Sequence, residues 1–198
     1  MAGFAAIASV GASVTRLLNA HFVAEQPISG KKTTAVLVRT EDFDKTGPTI
    51  VAPALSIYLY RVDYNKTMRA SWSAVGHADG RGHLVLDLHY LLTPWADNAE
   101  HEHRILGKTM QCLEATPVLT GPLLIATTEW ADNESVQLCM DEITTEALMR
   151  TFDSLPLDYK LSVPYVARVV RIDTKKMADY PPVVTVATGT TTTVEADP

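Results

Sequence analysis

Residues 84–95 read LVLDLHYLLTPW, and this stretch decides the fold. Its even positions, Leu84, Leu86, Leu88, Tyr90 and Leu92, are all apolar, while the odd positions are Val85, Asp87, His89, Leu91 and Thr93. Side chains of a strand alternate between faces, so one face is fully buried and the other is mixed. Pro94 removes a backbone donor and is expected to end the ladder. Asp97-Asn98 then supplies a helix N-cap, with Glu100 and Glu102 in the first turn, where the helix dipole favours carboxylates. Ala99, His103, Leu106, Met110 and Leu113 recur at steps of three and four, the stripe of a helix lying on a sheet. Gly107 costs that helix roughly 1 kcal/mol relative to Ala unless a neighbour uses the space. Thr116-Pro117 closes it. A long buried strand feeding a helix that packs back on it is the unit around which the chain is built.

Outward from that unit, 3–21 reads as a helix with Ile7, Val10, Val14, Leu17 and Leu18 on one side and small residues on the other. The small face points either to close packing against something else, with Ala12, Ser13 and Arg16 as contacts with a neighbouring subunit, or to an Ala-rich helix end left in solvent. Residues 25–33 form a polar loop, and Ala35–Arg39 a short strand. Glu41–Pro53 is rich in turn formers and reads as a surface loop. Leu55–Tyr64 is a β-prone strand, with Tyr58, Tyr60, Val62 and Tyr64 on one face and Ile57, Leu59, Arg61 and Asp63 on the other. Residues 65–83 have no steady period and read as an insertion. After the central unit, Leu123–Ala126 is expected as a short strand and Val136–Met140 as another. Thr144 caps a second helix with a stripe of Leu148, Phe152 and Leu155. Ser162–Asp173 is the last clear strand, with Arg168 and Arg171 on opposite faces. The fold class is thus α/β (α+β), a small mixed sheet packed by helices.

Beyond Asp173 the composition changes to Thr and Val around Tyr180-Pro181-Pro182, without helical period or core material. We divide the chain into a domain over 1–173 and an extended C-terminal arm over 174–198. The arm is β-prone and uncharged from Val183 to Val194; it is either disordered or a strand along another chain's sheet edge, with Val183, Val184, Val186, Thr191 and Val194 as its candidate contacts there.

The 198 residues suit one domain of ordinary size, and 46% hydrophobic content supplies a core. A net charge of −6 with interspersed signs gives no field for a nucleic-acid partner. Cys112 and Cys139 fall in a predicted helix and a predicted strand, read as free thiols of a reducing compartment. The N-terminus MAGFAAIASVGASVTRLLNAHF lacks a basic n-region and is broken by Arg16, so it is not read as a signal peptide. No run reaches the ~20 apolar residues of a membrane span. We therefore expect assembly in the cytoplasm.

The search for chemistry returns little. His101 and His103 sit two apart on a helix, about 200° around its axis, so they cannot share one ion. His77, Asp79 and His83 lie nearby in sequence, and His89 faces the mixed side of its strand. No metal and no cofactor is expected, and His89 reads as a core-edge residue bonded to the sheet. No nucleophile elbow, P-loop or dinucleotide fingerprint occurs. Asp87 and Asp141 are expected in cross-strand ion pairs with Arg61 or Arg168. The alternative to a structural role is a metal-dependent or hydrolytic enzyme built on Asp87 with the His89, His101 and His103 region.

LSIYLYRVDYN, LVLDLHYLLTPW, EHEHRILGKTMQCLEATPVL, VQLCMDEITTEALMRTFDSL and SVPYVARVVRID occur in that order. Together they resemble the cap, or tail terminator, family of extracellular contractile injection systems, which are antifeeding-prophage-like particles related to phage tails. The resemblance covers roughly residues 5 to 173. It implies a small α/β domain and a homohexameric ring at the distal end of a tube and sheath. It also implies sheath protein and inner tube protein as partners and no catalytic role. A chain of that kind ends the polymerisation of the tube and anchors the last sheath layer, as a component of a phage-tail-like particle.

Overall fold

The computed structural model describes residues 3–44, 50–69, 82–126 and 130–174. In chain order these form α1 (Ala6–Ala24), β1 (Thr34–Val38), a 3-10 turn at Thr40–Phe43, β2 (Ala54–Tyr64), the one-turn α2 (Lys66–Arg69) and β3 (His83–Trp95). α3 (Ala99–Ala115), β4 (Val118–Thr120), a second 3-10 turn at Gly121–Leu123, β5 (Ser135–Met140), α4 (Thr145–Asp153) and β6 (Val163–Asp173) follow. The six strands make one sheet in the order β1-β2-β3-β6-β5-β4. Only β1 and β2 run parallel; the other pairs are antiparallel. β3 is central and pairs along its length with β2 and β6, as its apolar alternation requires.

One face of the sheet carries the main core. Leu55, Ile57, Leu86, Leu88, Tyr90, Leu92, Val136, Leu138, Tyr165, Ala167 and Val170 meet Val10, Val14, Leu18 and Phe22 of α1 and Ile105, Leu106, Cys112 and Leu113 of α3. Gly11 lets α1 come close: a Cβ there would lie 3.2 Å from Leu37 Cδ1. Asn98 caps α3 by accepting from the His101 amide at 2.9 Å, and Thr144 caps α4 by accepting from Ala147 at 3.2 Å. The buried side of α3 is Ile105, Leu106, Thr109, Cys112 and Leu113, whereas Ala99 and His103 of the expected stripe are exposed. Gly107 is also exposed, with nothing within 4 Å of the place a Cβ would take. Gly107→Ala is therefore expected to raise stability by about 0.5–1 kcal/mol through helix propensity alone, measurable by urea titration.

Several expectations are corrected. Pro94 does not end β3: Pro94 pairs with Leu55 and Trp95 with Ala54. It lies past Leu92, the last residue paired with β6, so only β2 flanks the strand there. The short strand expected at Leu123–Ala126 is found instead at Val118–Thr120, held by pairing with Ser135–Gln137. Register shifts between Leu59 and Arg61 and between Leu86 and Leu88 reset the alternation of β2 and β6. The first places Arg61 opposite His89, leaving Leu59 with Val62 and Tyr64 on the helix-covered face. The second sets Arg168 opposite Gln137 and Arg171 opposite Val85, so both arginines share the face turned away from α1 and α3.

Candidate functional site

The face turned away from α1 and α3 holds the polar cluster. His89 Nδ1 lies 2.6 Å from Asp141 Oδ2, and both side chains are nearly buried. Its Nε2 is 3.4 Å from Asp63 Oδ2. Arg61 Nη2 is 3.2 Å from Nδ1 and 3.3 Å from Nε2, an equidistance that sets the guanidinium over the ring and out of its plane. Arg61 Nε bonds Asp63 at 3.0 Å, but its contact with Asp141 stretches to 4.0 Å. The Tyr60 hydroxyl donates to Asp141 at 3.4 Å, and burial together with the Asp141 charge pushes its pKa up to about 12. At neutral pH it stays a donor.

Asp141, expected to pair with Arg61 or Arg168, has the His89 ring as its near partner at 2.6 Å, and Arg61 is a distant second at 4.0 Å. Among the described residues Asp87 has no ion pair; it accepts from Asn65 Nδ2 at 3.0 Å. His83, the β3 residue paired with Asp173, lies 2.6 Å from its carboxylate, which Arg171 Nε also meets at 3.0 Å. These bonds tie β2, β3, β5 and β6 together on one face. A carboxylate holding an imidazole is half of a hydrolytic arrangement, yet the group beside it is a neutral phenol in place of an activated nucleophile. His101 and His103 belong to α3, which covers the opposite face, so the grouping of Asp87 and His89 with His101 and His103 is divided by the sheet. Among the described residues no three of His, Cys, Asp and Glu gather as metal ligands would. His77 and Asp79 lie outside the described residues.

Cys112 and Cys139 are both free. Cys112 is in the helix-side core, where burial raises its thiol pKa to about 11, while Cys139 pairs with Val166 on the other face. The sheet lies between them.

A cleft of about 440 Å³ opens beside the C-terminal end of β1 and the middle of β2, with Ile7, Gly11, Leu37, Tyr58, Leu59 and Tyr90 in its lining. The Tyr90 hydroxyl is buried and has no hydrogen-bond partner among the described residues, and burial raises its pKa. No histidine or cysteine is among the described residues that line this cleft.

The surface is more informative than any cavity. Val62, Tyr64 and Leu84 are 43%, 47% and 49% exposed, on the helix-side face at an end of the sheet that the helices leave bare. On α1 the outward stripe is Phe4, Ala8, Ala12, Arg16 and Ala20, with Phe4 90% exposed just before the helix. Ala12 is half-buried, and Arg16 is exposed with its guanidinium on the Pro122 carbonyl at 2.6 Å. Ser13 is elsewhere. It is fully buried, donates to the Ser9 carbonyl at 2.6 Å and accepts from the Ile125 amide at 2.8 Å, so the chain's own fold takes up its side chain. Burial against the loop after β4 was not visible from a stripe of small residues. Val183, Val184, Val186, Thr191 and Val194 lie outside the described residues, as does the rest of the arm beyond Thr174.

The outer edge of β1 is shut by side chains. The Thr34 amide donates to Pro53, at the foot of β2, so the alternate residues Thr33, Ala35, Leu37 and Arg39 face away from the sheet. Asn19 takes both outward groups of Ala35: Oδ1 accepts from its amide at 2.9 Å and Nδ2 donates to its carbonyl at 2.8 Å. The amide of Thr33 goes to Gln26 and that of Arg39 to Asp42. Among the described residues of this edge, Leu37 alone keeps its outward pair without a partner.

The Pvc16 N-terminal domain family model matches residues 9–186. Among solved structures, the chain is similar to a cryo-EM structure described as the sheath/tube terminator of an extracellular contractile injection system, PVC, in the extended state. That likeness has 18% identity and a TM-score of 0.50, over 94% of this chain and 63% of the other. It is also similar to the tube-terminating cap of the anti-feeding prophage, with 18% identity and a TM-score of 0.55 over 93% of this chain and 60% of that one. The chain therefore spans about 60% of the length of the structures it resembles. No curated protein matches it. What is shared is the fold, from α1 to the far end of the sheet.

Proposed function

The chain belongs to the Pvc16 N-terminal domain family, and on that footing we propose that it is the cap that ends the tube and sheath of a contractile injection system. The observation that carries this reading is the family match over residues 9–186 of a chain whose fold is that of two terminator structures. The surface agrees with it. A subunit that must fit neighbours keeps large apolar side chains outside, as at Phe4, Val62, Tyr64 and Leu84. Its buried polar residues here serve to tie strands together.

In this reading copies of the chain close into a homohexameric ring by head-to-tail contacts, which join subunits without open-ended growth. Ala12 and Arg16 on the outward stripe of α1 contact the next copy. Residues Val183, Val184, Val186, Thr191 and Val194 of the arm lie along the sheet edge of a neighbouring protein. The ring sits on the last layer of sheath protein and inner tube protein, and the particle is assembled in the cytoplasm.

The reading is tested on particles purified from a host that carries this gene. Electron microscopy with a tag on the chain is expected to show it at one end of each tube, and its deletion to give tubes of uncontrolled length. Tag signal spread along the sheath, or a chain missing from finished particles, would refute the cap and favour an assembly chaperone.

A further inference from the structure

The two edges of the sheet are unequal, and the inequality locates a contact. At the β1 edge, side chains of Asn19, Gln26 and Asp42 occupy the outward groups of Ala35, Thr33 and Arg39. A single residue, Leu37, cannot register a strand. The far edge is β4. There the Leu138 amide donates to the Pro117 carbonyl at 2.7 Å, which makes Pro117 and Leu138 the bonded pair of the antiparallel ladder. Alternation then turns the amides and carbonyls of Val118 and Thr120 outward. Among the described residues the outward groups of Val118 meet no partner, while the Thr120 carbonyl opens the 3-10 turn at Gly121–Leu123; both side chains are exposed. Natural edges are defended by short length, charge, proline or a covering element; Val118-Leu119-Thr120 is short and follows Pro117, but it carries no charge and, among the described residues, no covering element.

The chain also contains a segment suited to that edge. VVTVATGTTTTV, residues 183–194, is uncharged and rich in β-branched residues, so no like-charge or lysine deterrent stands between it and β4. We propose that the Val118–Thr120 edge receives residues 183–194 of a second copy as an added strand, which gives each copy one donor and one acceptor edge. This deepens the cap reading and rests on it: a strand laid down within one copy would close the edge without linking subunits, whereas donation between copies is the head-to-tail contact a ring needs.

Amide exchange followed by mass spectrometry tests it on three samples: assembled full chain, the same chain diluted to monomer, and a chain ending at Tyr180. Amides of peptide 117–123 are expected to exchange about tenfold or more slowly in the assembly than in the other two samples. Peptide 34–39 is expected to exchange alike in all three. Protection that survives dilution places the strand within one copy and overturns the proposal. Protection that survives the truncation gives the edge another occupant and overturns it too, as does a failure of the full chain to assemble. Val118→Lys, at an exposed position, is expected to melt as the parent chain does while losing assembly at least tenfold in concentration. If exchange behaves as expected but the chain is absent from particle ends, the cap reading falls and the contact between copies stands.

Discussion

Ser13→Leu is expected to lower the unfolding free energy by about 3–5 kcal/mol, more than half the stability of a marginal domain. Two costs add. Among the described residues the hydroxyl is what meets the Ile125 amide, so its loss strands a donor where α1 packs on the loop after β4. Three extra carbons must also enter a site with no exposed area, between Ser9, Val10 and Leu17 on the inward side of the helix. Ser13→Ala separates the terms: it keeps the space and removes only the bond, for about 1–3 kcal/mol. One residue away, Ala12→Leu on the half-buried side is expected to change stability by less than about 0.5 kcal/mol and to act on association instead. Urea unfolding of the three variants at low protein concentration measures this. Equal midpoints for Ser13→Leu and Ala12→Leu would mean that α1 is not seated on the sheet by this face.

Ser13 also shows where reading from sequence stops. Periodicity identified α1 as a helix and placed Val10, Val14, Leu17 and Leu18 inward, because burying them is the only use the fold has for that stripe. It grouped Ser13 with Ala12 on one small face, since a buried serine is distinguished from an exposed one by its partner, and Ile125 is more than a hundred residues away. β3 was legible because a thirteen-residue strand repeats its pattern enough times to be unmistakable. β4 was not, because three residues hold no period and exist as a strand only through β5. The bulges at Leu59/Arg61 and Leu86/Leu88 belong to pairs of strands, and no single strand records them. That is why Arg61 moved to the face of His89, and why Asp141, fifty-two positions on, was not named as its partner. The resemblance carried the functional reading, because ordered segments of a family survive where side-chain partners cannot be deduced. The enzyme alternative grouped His89 with His101 and His103 by sequence proximity, which the thickness of a sheet removes.

Asn19→Leu is expected to cost about 2–4 kcal/mol and to make the isolated chain self-associate, a combined effect that ordinary surface substitutions do not produce. The wild-type amide answers both the donor and the acceptor of Ala35 while Nδ2 is also 3.0 Å from the Thr15 carbonyl, so the side chain is held where a neighbouring strand would otherwise lie. Leucine fills the volume and answers neither group. Ala35 is 3% exposed, so water reaches its stranded amide poorly, and the penalty for an unmade bond applies nearly in full. The edge that results runs from Ala35 to Leu37 with apolar side chains, Leu37 already 45% exposed, and invites pairing in place of β4. Asn19→Asp is the intermediate case: it keeps an acceptor for the Ala35 amide and loses the donor for its carbonyl, for about half the cost. Unfolding titrations give the stability term, and light scattering over a range of protein concentrations gives the association term. A variant that is less stable but stays monomeric would mean that the edge is defended by the bulk of α1 and not by the Asn19 amide. A variant with unchanged stability would mean that Ala35 finds its partners without Asn19, and the asymmetry between the two edges would lose its basis.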